Sequence, residues 1–362
     1  MARELPEALP TPKAPGLAGL SPAYFGLVMA TGIVSLAGFM MGHDLLAKGL
    51  FYLNIAQYIL LLLLFGLRAI LHPRRFFGDM VAHSIGPGYF TLVAGTGILA
   101  SQFLLMRENI PVGAALWLLA VLLWICLTYT IFTAFTVTAE KPRLDRGING
   151  SWLLAVVATQ SLSVSSALLA ARIGQPYRIE LNFIALSMWL WGGMLYIWMM
   201  SLIFYRYSFF RFLPDDLAPP YWINMGAMAI SALAGSLLIL NAPDAPYLLS
   251  MLPFLKGFTV FYWATGTWWI PMLLLLAIWR YGFKRFPFEY DPLYWGAVFP
   301  LGMYAACTWL LERAMQFDFL VMLPRSFFYI AAVAWLLAFA GMLRRLSRIF
   351  LAGPEKKHEG RP

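Results

Sequence analysis

Long apolar stretches alternate along the chain with short connections that contain charged residues, proline or glycine. A helix of about 20 apolar residues is long enough to cross a hydrocarbon layer about 30 Å thick. The charged and Pro/Gly positions divide the chain into ten such stretches. They predict ten membrane-spanning helices, near residues 24–41, 51–70, 86–105, 114–136, 151–171, 181–204, 221–240, 258–279, 294–311 and 327–343.

The composition of the chain also favours a membrane protein. Of its 362 residues, 61% are hydrophobic and 12% are charged, whereas a soluble domain is about half apolar and about a quarter charged. The predicted fold class is therefore an all-α integral membrane protein, with an amino-terminal segment at 1–20, a membrane domain at 21–346 and a carboxyl-terminal tail at 347–362. The first stretch is not expected to be a cleaved signal, because a proline-rich segment precedes it and no cleavage pattern clearly follows.

The basic residues are divided unequally between alternate connections. Both termini and every second connection together hold 19 of the 26 lysines and arginines. The positive-inside rule then predicts that both termini lie in the cytoplasm, with the spans in a plasma or inner membrane, and it requires an even number of spans. The formal net charge of +9 does not indicate a nucleic-acid partner, because the basic residues lie in short connections rather than on one face of a folded unit.

A repeated motif opens the odd-numbered spans. Residues 21–37 and 86–102 are identical at eight of seventeen aligned positions. The same opening, a proline, any residue, a tyrosine and then phenylalanine or tryptophan, recurs at 219–222 and 292–295, and the fifth span opens comparably at 150–152. Proline suits the first turn of a helix, and aromatic residues suit a membrane interface. The recurrence predicts five helical hairpins arranged around an axis.

Small and hydroxyl residues are concentrated in the odd-numbered spans, whereas the even-numbered spans carry leucine and tryptophan. Such small polar side chains often serve packing between membrane helices, so no single one of them identifies a pore. Their shared bias is better explained by an inner ring of odd helices around a polar path, with the even helices outside facing lipid. The polar side chains that support this prediction include Thr31, Thr96, Thr159 and Ser231.

Carboxylates and histidines are absent from the centres of the predicted spans. Cation pathways and proton relays usually need such groups inside the membrane, so cation transport and ordinary proton coupling are disfavoured. The cytoplasmic ends of the odd helices carry the positive ends of helix dipoles, and basic loops surround them. Both features favour an anion as the transported solute.

The spans also lack the chemistry of an enzyme or a metal protein. A membrane-embedded enzyme would need a nucleophile, a metal or an acid–base group at depth, and no such constellation occurs there. Cys126 and Cys307 lie in apolar stretches without neighbouring ligands and are interpreted as small core residues. We therefore predict no disulfide framework, metal site or cofactor.

Four segments in fixed order carry a resemblance to a known family: PAYFGLVMATGIVS at 22–35, NGSWLLAVVATQSL at 149–162, PPYWINMGAMAIS at 219–231 and YWGAVFPLG at 294–302. They resemble the tellurite-resistance/dicarboxylate transporter family, which includes plant slow anion channels, bacterial tellurite-resistance channel homologues, yeast malate permeases and fungal sulfite exporters. The resemblance implies ten helices as five hairpins in quasi-fivefold array, a pore through the inner five, and a homotrimer with one pore in each subunit. Long phosphorylatable tails are missing from this chain, so kinase gating is not implied.

The resemblance further implies a gate. The family plugs its pore with a phenylalanine of the ninth helix, and the pattern Trp-x-x-x-Phe-Pro at 295–300 assigns that role to Phe299. Pro300 cannot donate to the carbonyl of Gly296, so we expect a kink beside Phe299. Four residues after the opening aromatic residue of each odd span stand Met29, Ala94, Val156, Gly226 and Phe299, of which Phe299 is the largest ring. The pore-lining candidates are Met29, Thr31, Ala94, Thr96, Val156, Thr159, Gly226, Ser231, Pro300 and Gly302.

The leading functional hypothesis is passive movement of small inorganic or organic anions across a lipid bilayer through this pore. Two alternatives stay open at this point. One is carrier-type export or uptake of a C4-dicarboxylate such as malate, or of sulfite, with or without proton coupling. The other is a permease that confers tellurite resistance.

Overall fold

The chain is helical in the part that the computed structural model describes, residues 16–287 and 290–351. We number its ten longest helices in chain order. They are α1 (Gly26–Met40), α2 (Asp44–Leu71), α3 (Phe90–Met106), α4 (Ile110–Val137), α5 (Leu154–Arg172), α6 (Tyr177–Phe209), α7 (Ile223–Asn241), α8 (Leu252–Ala277), α9 (Trp295–Met315) and α10 (Met322–Leu351). Most of the predicted amino-terminal segment and of the carboxyl-terminal tail lies outside the described residues.

Nine helices of the described ranges are long and apolar enough, by length and composition, to cross a membrane. The protein is therefore a multi-pass membrane protein. The helix α9 has 21 residues but does not belong to these nine. A tenth span at α9 stays a prediction.

The even-numbered helices are longer than the sequence predicts. They have 26 to 33 residues, whereas the odd-numbered helices have 15 to 21. The predicted spans end where charged residues begin, but the structure continues α6 through Arg206 and α10 through Arg344 and Arg345. Arginine is a good helix former, and its long side chain lets the charge reach a polar partner or the interface while the backbone stays helical.

The repeated opening motif forms the same local structure each time. A 3₁₀ turn precedes every odd helix and lies at Pro22–Phe25, Gly86–Tyr89, Gly150–Leu153, Pro219–Trp222 and Pro292–Tyr294. Proline fits such a turn because its fixed φ suits the first helical residues and its missing N–H would lack a partner there. The five turns contact one another in chain order, and the last contacts the first.

The odd helices follow the same cyclic order of contacts. Helix α1 contacts α3, α3 contacts α5, α5 contacts α7, α7 contacts α9, and α9 contacts α1. Each odd helix also packs against the even helix that follows it, so every consecutive pair forms a hairpin. Quasi-fivefold symmetry and a pore along the axis of this cycle stay predictions at this stage.

The odd-numbered and the even-numbered helices differ in how deeply they are buried. In the most apolar stretch of each span, 78–100% of the residues are buried for α1, α3, α5 and α7, but only 22–50% for the five even helices. The exposed faces of the even helices are apolar, as a lipid-facing surface requires; Leu63, Leu118, Trp268 and Leu337 are all more than half exposed. Cys307 is buried as predicted, whereas Cys126 lies exposed on the outside of α4, so its interpretation as a core residue is wrong.

Candidate functional site

A cavity of about 310 Å³ lies between the carboxyl-terminal halves of the odd helices. All five odd helices contribute to its lining, and none of the even helices does. The lining residues are Ile33, Leu36, Phe39, Met40, Gly97, Ile98, Ser101, Leu105, Ser161, Val164, Leu168, Ile230, Leu233, Leu237, Met303, Trp309 and Leu310.

The cavity-lining residues occupy equivalent positions in the five repeats. We count from the fourth residue of each opening sequence, which in the fifth span runs from Gly150 to Leu153; these residues are Phe25, Phe90, Leu153, Trp222 and Trp295. Eight residues further along stand Ile33, Ile98, Ser161, Ile230 and Met303, and fifteen residues further along stand Met40, Leu105, Leu168, Leu237 and Leu310. Both complete sets line the cavity, so each odd helix turns the same face toward the axis.

The residue four positions after each of these starting residues lies on the same helix face, one turn before the cavity. Residues four apart share a helix face, so Phe299 lies next to Met303 along the axis-facing side of α9. Phe299 is only 1% exposed. In α5 the fourth residue of the opening sequence is Leu153, so the position equivalent to Phe299 is Val157, whereas the prediction counted from Trp152 and selected Val156. The five residues at this level are Met29, Ala94, Val157, Gly226 and Phe299.

The cavity wall is apolar, which differs from the polar path that the sequence predicts. Ser101 and Ser161 are its only hydroxyl side chains within the described part of the chain. Most polar side chains of the odd helices turn instead toward backbone carbonyls or toward the outer helices. In a low-dielectric interior an unpaired hydroxyl is costly, so these groups face partners rather than the axis.

The three threonines among the predicted pore residues illustrate this orientation. Thr31, Thr96 and Thr159 are equivalent, each standing six residues after the end of its opening motif. Trp335 of α10 donates its indole N–H to the Thr31 hydroxyl over 3.0 Å, and Trp124 of α4 donates likewise to Thr159 over 2.8 Å. The Thr96 hydroxyl lies 2.8 Å from the Tyr58 hydroxyl of α2. These threonines therefore connect the inner helices to the outer ones.

Three of the remaining predicted residues, Gly226, Pro300 and Gly302, lie at contacts between neighbouring odd helices. A Cβ atom on Gly226 would lie 2.8 Å from the ring of Pro300, so this glycine allows α7 and α9 to pack closely. A Cβ atom on Gly302 would lie 3.0 Å from Ile33 across the contact of α9 with α1. The Ser231 hydroxyl donates to the carbonyl of Ala227 in its own helix. None of the ten predicted residues lines the cavity itself.

Comparison with known proteins identifies the family. The model of the SLAC1 family, described as voltage-dependent anion channels, matches residues 19–343. The chain belongs to the SLAC1 family. The family predicted from the four sequence segments is thereby confirmed.

The relatives of this SLAC1-family chain include proteins of archaea and bacteria. Two uncharacterized transporters of Methanocaldococcus jannaschii are each 23% identical to it, and the alignments cover 91% and 93% of this chain and 94% and 95% of theirs. An uncharacterized membrane protein of Mycobacterium tuberculosis is 35% identical over 153 residues, which are 42% of this chain and 77% of its own. Family and relatives together indicate transport of anions or other solutes across a membrane.

Sequence reasoning missed a second structural feature of this SLAC1-family chain, a set of buried arginines at the ends of even helices. Arg68 of α2 is 1% exposed and pairs with Asp79 beside the Tyr89 hydroxyl. Arg206 of α6 is 6% exposed, donates to the Tyr221 hydroxyl and pairs with Asp216 at 2.8 Å. In the sequence these arginines contribute only to the uneven distribution of basic residues, which predicts the orientation of the spans. Each arginine is followed after ten or eleven residues by an aspartate and then by the tyrosine of the next opening motif, and this order is the signal that could have indicated a paired, buried position.

The hydrogen bond between Trp124 and Thr159 gives a testable measure of the attachment of outer to inner helices. We expect Trp124→Phe and Thr159→Val to show a coupling free energy of about 0.6 kcal/mol, the usual size for a hydrogen bond between membrane helices. A double-mutant cycle on the free energy of unfolding in mixed micelles measures it. Trp124→Phe combined with Thr308→Val, which is not its partner, is the control and should show no coupling. Equal coupling in both cycles would contradict the assignment.

Proposed function

We propose that this SLAC1-family protein forms a pore for small anions along the axis of its five inner helices and that Phe299 closes it. The observation that carries the proposal is the register of the cavity: equivalent residues of all five odd helices line it, and Phe299 lies on the same face one turn before Met303. Five hairpins in quasi-fivefold array around that pore are part of the proposal, and the closed cycle of contacts between the odd helices supports them.

The closure at Phe299 follows from the size of the residues at its level. Met29, Ala94, Val157 and Gly226 occupy the equivalent positions on the other four helices. Phe299 has the only aromatic ring of the five, and it is almost completely buried, which supports a closed state at this level. A ring of apolar side chains excludes water, and an ion cannot pass a dry constriction at low cost. Movement of the Phe299 side chain would open the path without a change in the helices.

The preference for anions rests on charge. Among the described residues no carboxylate lines the cavity, so nothing on its wall would hold a cation. The amino-terminal ends of the five odd helices converge at the other end of the axis, where the opening turns contact one another. Each helix end carries about half a positive charge. An anion on the axis is therefore stabilised at the end where Phe299 lies.

Carrier-type transport of a dicarboxylate or sulfite receives less support. Recognition of two carboxylates would need several fixed hydrogen-bond donors or cations around the substrate. The described cavity offers only Ser101 and Ser161 as hydroxyl donors, within an otherwise apolar wall. The wall is better suited to a channel-like path than to a substrate-binding pocket. Cytoplasmic termini, a plasma or inner membrane and a homotrimer complete the proposal, on the charge distribution and the family resemblance.

Ion-substitution measurements test the proposed function. We expect currents through the protein in planar bilayers to reverse at potentials that follow the anion gradient and to stay unchanged when sodium replaces potassium, because charge on the axis favours anions. A reversal potential that follows the cation or the pH gradient would overturn the proposal. Empty bilayers and bilayers with heat-inactivated protein are the controls.

A further inference from the structure

The buried arginines at the ends of the even helices form a structural series with one unusual member. The third member, Arg280, lies in the π-helical turn Ile278–Phe283 that continues α8. Like Arg68 and Arg206, it lies in the chain shortly before the opening turn of the next odd helix, and it is only 8% exposed. Its aromatic neighbour in that turn is Tyr294, as Tyr89 and Tyr221 are for the other two arginines.

Arg280 differs from the other two in its partners. Arg68 and Arg206 are each paired with an aspartate that follows ten or eleven residues later. The residue in the corresponding place after Arg280 is Asp291, but its carboxylate accepts the backbone N–H of Leu293. Among the described residues no carboxylate forms an ion pair with Arg280. Burial of a charged group is costly unless another charge compensates it, and the described residues give this guanidinium no counter-charge of the kind that its two counterparts have.

A cavity of about 190 Å³ lies beside the Arg280 guanidinium. Arg280 donates through Nη1 to the carbonyl of Leu217, while its Nε is buried without a hydrogen-bond partner. Phe286 flanks the guanidinium, with its ring centre 4.1 Å from Cζ. The hydroxyl groups of Tyr281 and Tyr294 lie 2.9 Å apart, and both residues line the same cavity. Arg280 is itself one of the residues that line this cavity, and one edge of a guanidinium can bind two oxygens of a carboxylate or phosphate at once.

The Arg280 cavity is separate from the proposed pore. Its wall includes Ala297 and Leu301 of α9. Each stands two residues from Phe299 or Met303, and residues two apart on a helix do not share a face, so Ala297 and Leu301 do not face the axis. Leu301 stands six residues after Trp295, the position at which Thr31, Thr96 and Thr159 face the outer helices. The cavity therefore lies on the outside of the inner ring, between the starts of α7 and α9 and the end of α8.

We propose that the Arg280 cavity binds a phosphate group, either as inorganic phosphate or as the headgroup of an anionic lipid. A tetrahedral oxyanion provides the counter-charge that the described residues do not supply, and it accepts hydrogen bonds from the guanidinium. The apolar part of the wall, formed by Leu273, Ala277 and Leu301, suits the carbon skeleton of a lipid. The position of the cavity at the end where basic residues are concentrated places it at the depth of a headgroup.

Binding to purified protein in a phosphate-free maltoside detergent tests this site. In one arm inorganic phosphate is titrated while the unfolding midpoint is followed, and in the other arm native mass spectrometry counts the copies of phosphatidylglycerol that stay bound. We expect Arg280→Gln to weaken phosphate binding, or lipid retention, at least about tenfold, because a charge-assisted bidentate contact is lost. Lys284→Gln removes the same charge from an exposed position of the same helix end and should leave binding unchanged.

The two arms identify the source of the phosphate group. An effect of Arg280→Gln on the phosphate titration assigns the site to the free ion, and an effect confined to lipid retention assigns it to the headgroup. If Arg280→Gln equals the wild type in both arms, or if Lys284→Gln has the same effect as Arg280→Gln, the proposal is wrong.

A second pair of variants keeps the test independent of the folding of Arg280→Gln. Ala277 lines the cavity three residues before Arg280, so Ala277→Glu places a carboxylate within reach of the guanidinium. We expect this variant to have a higher unfolding midpoint in the absence of ligand and to lose the response to phosphate. Ala277→Gln has nearly the same size without the charge and should not raise the midpoint. Equal midpoints for the Glu and Gln variants would show that Arg280 needs no counter-charge and would overturn the proposal.

Discussion

Phe299→Ala is expected to raise the anion conductance several-fold in planar bilayers or oocytes. The substitution removes the largest side chain from the level that precedes the cavity, where the other four helices present Met29, Ala94, Val157 and Gly226. A phenyl ring replaced by a methyl group leaves space on the axis that water can enter, and a hydrated constriction conducts where a dry one does not. The gain should appear as a larger current per protein with an unchanged reversal potential, because the charge around the axis stays the same.

Loss of a buried phenylalanine also lowers stability, so the control must match that loss. Phe51 of α2 is 2% exposed and packs edge-to-face on Phe103 of α3, with ring centres 5.1 Å apart. Phe51→Ala should cost a similar amount of packing free energy, about 3–5 kcal/mol, yet it lies outside the inner ring and should not raise the conductance. A folded Phe299→Ala protein whose current equals that of the wild type would exclude Phe299 as the gate.

Hydropathy and charge were sufficient to predict most of the helices, because the cost of an exposed backbone in lipid leaves few alternatives to a helix about 20 residues long. The ends were less predictable. Arg206 and Arg280 look like breaks between spans, but each is held inside the protein by a carbonyl, so the helix continues past the point where the charge suggests a surface. The opening motif was more informative, since all five copies form a 3₁₀ turn at the start of an odd helix.

Polarity was a poor guide to the residues that face the axis. The hydroxyls of Thr31 and Thr159 were attractive candidates because a pore is expected to be polar, yet they accept hydrogen bonds from tryptophans of the outer helices. Tryptophan N–H groups buried in a membrane need acceptors, and nothing in a single apolar stretch says which neighbour supplies them. The repeat could have given the answer, since counting eight residues from each opening motif selects cavity-lining positions in all five helices.

The same repeat predicts that two positions of α5, only two residues apart, differ in whether they face the cavity, so one of them can serve as the control for the other. Ser161 lines the cavity, whereas Thr159 on the same helix bonds to Trp124 of the outer helix α4. Cysteine is close in size to both residues, so Ser161→Cys and Thr159→Cys should fold alike. We place each in Phe299→Ala protein, where the current is large, after replacing the exposed Cys126 by serine.

A membrane-impermeant, negatively charged methanethiosulfonate reagent should abolish nearly all the current of Ser161→Cys when it is added on the external side. The reagent attaches a bulky sulfonate to the cavity wall, where it fills the space and repels anions. Thr159→Cys should keep its current, because its thiol faces α4 and the reagent cannot reach it. The buried Cys307 is present in both proteins and therefore cannot account for a difference between them. If Thr159→Cys is blocked and Ser161→Cys is not, the conducting path lies on the other face of α5. The register that places Phe299 on that path, one turn before the cavity, is then wrong.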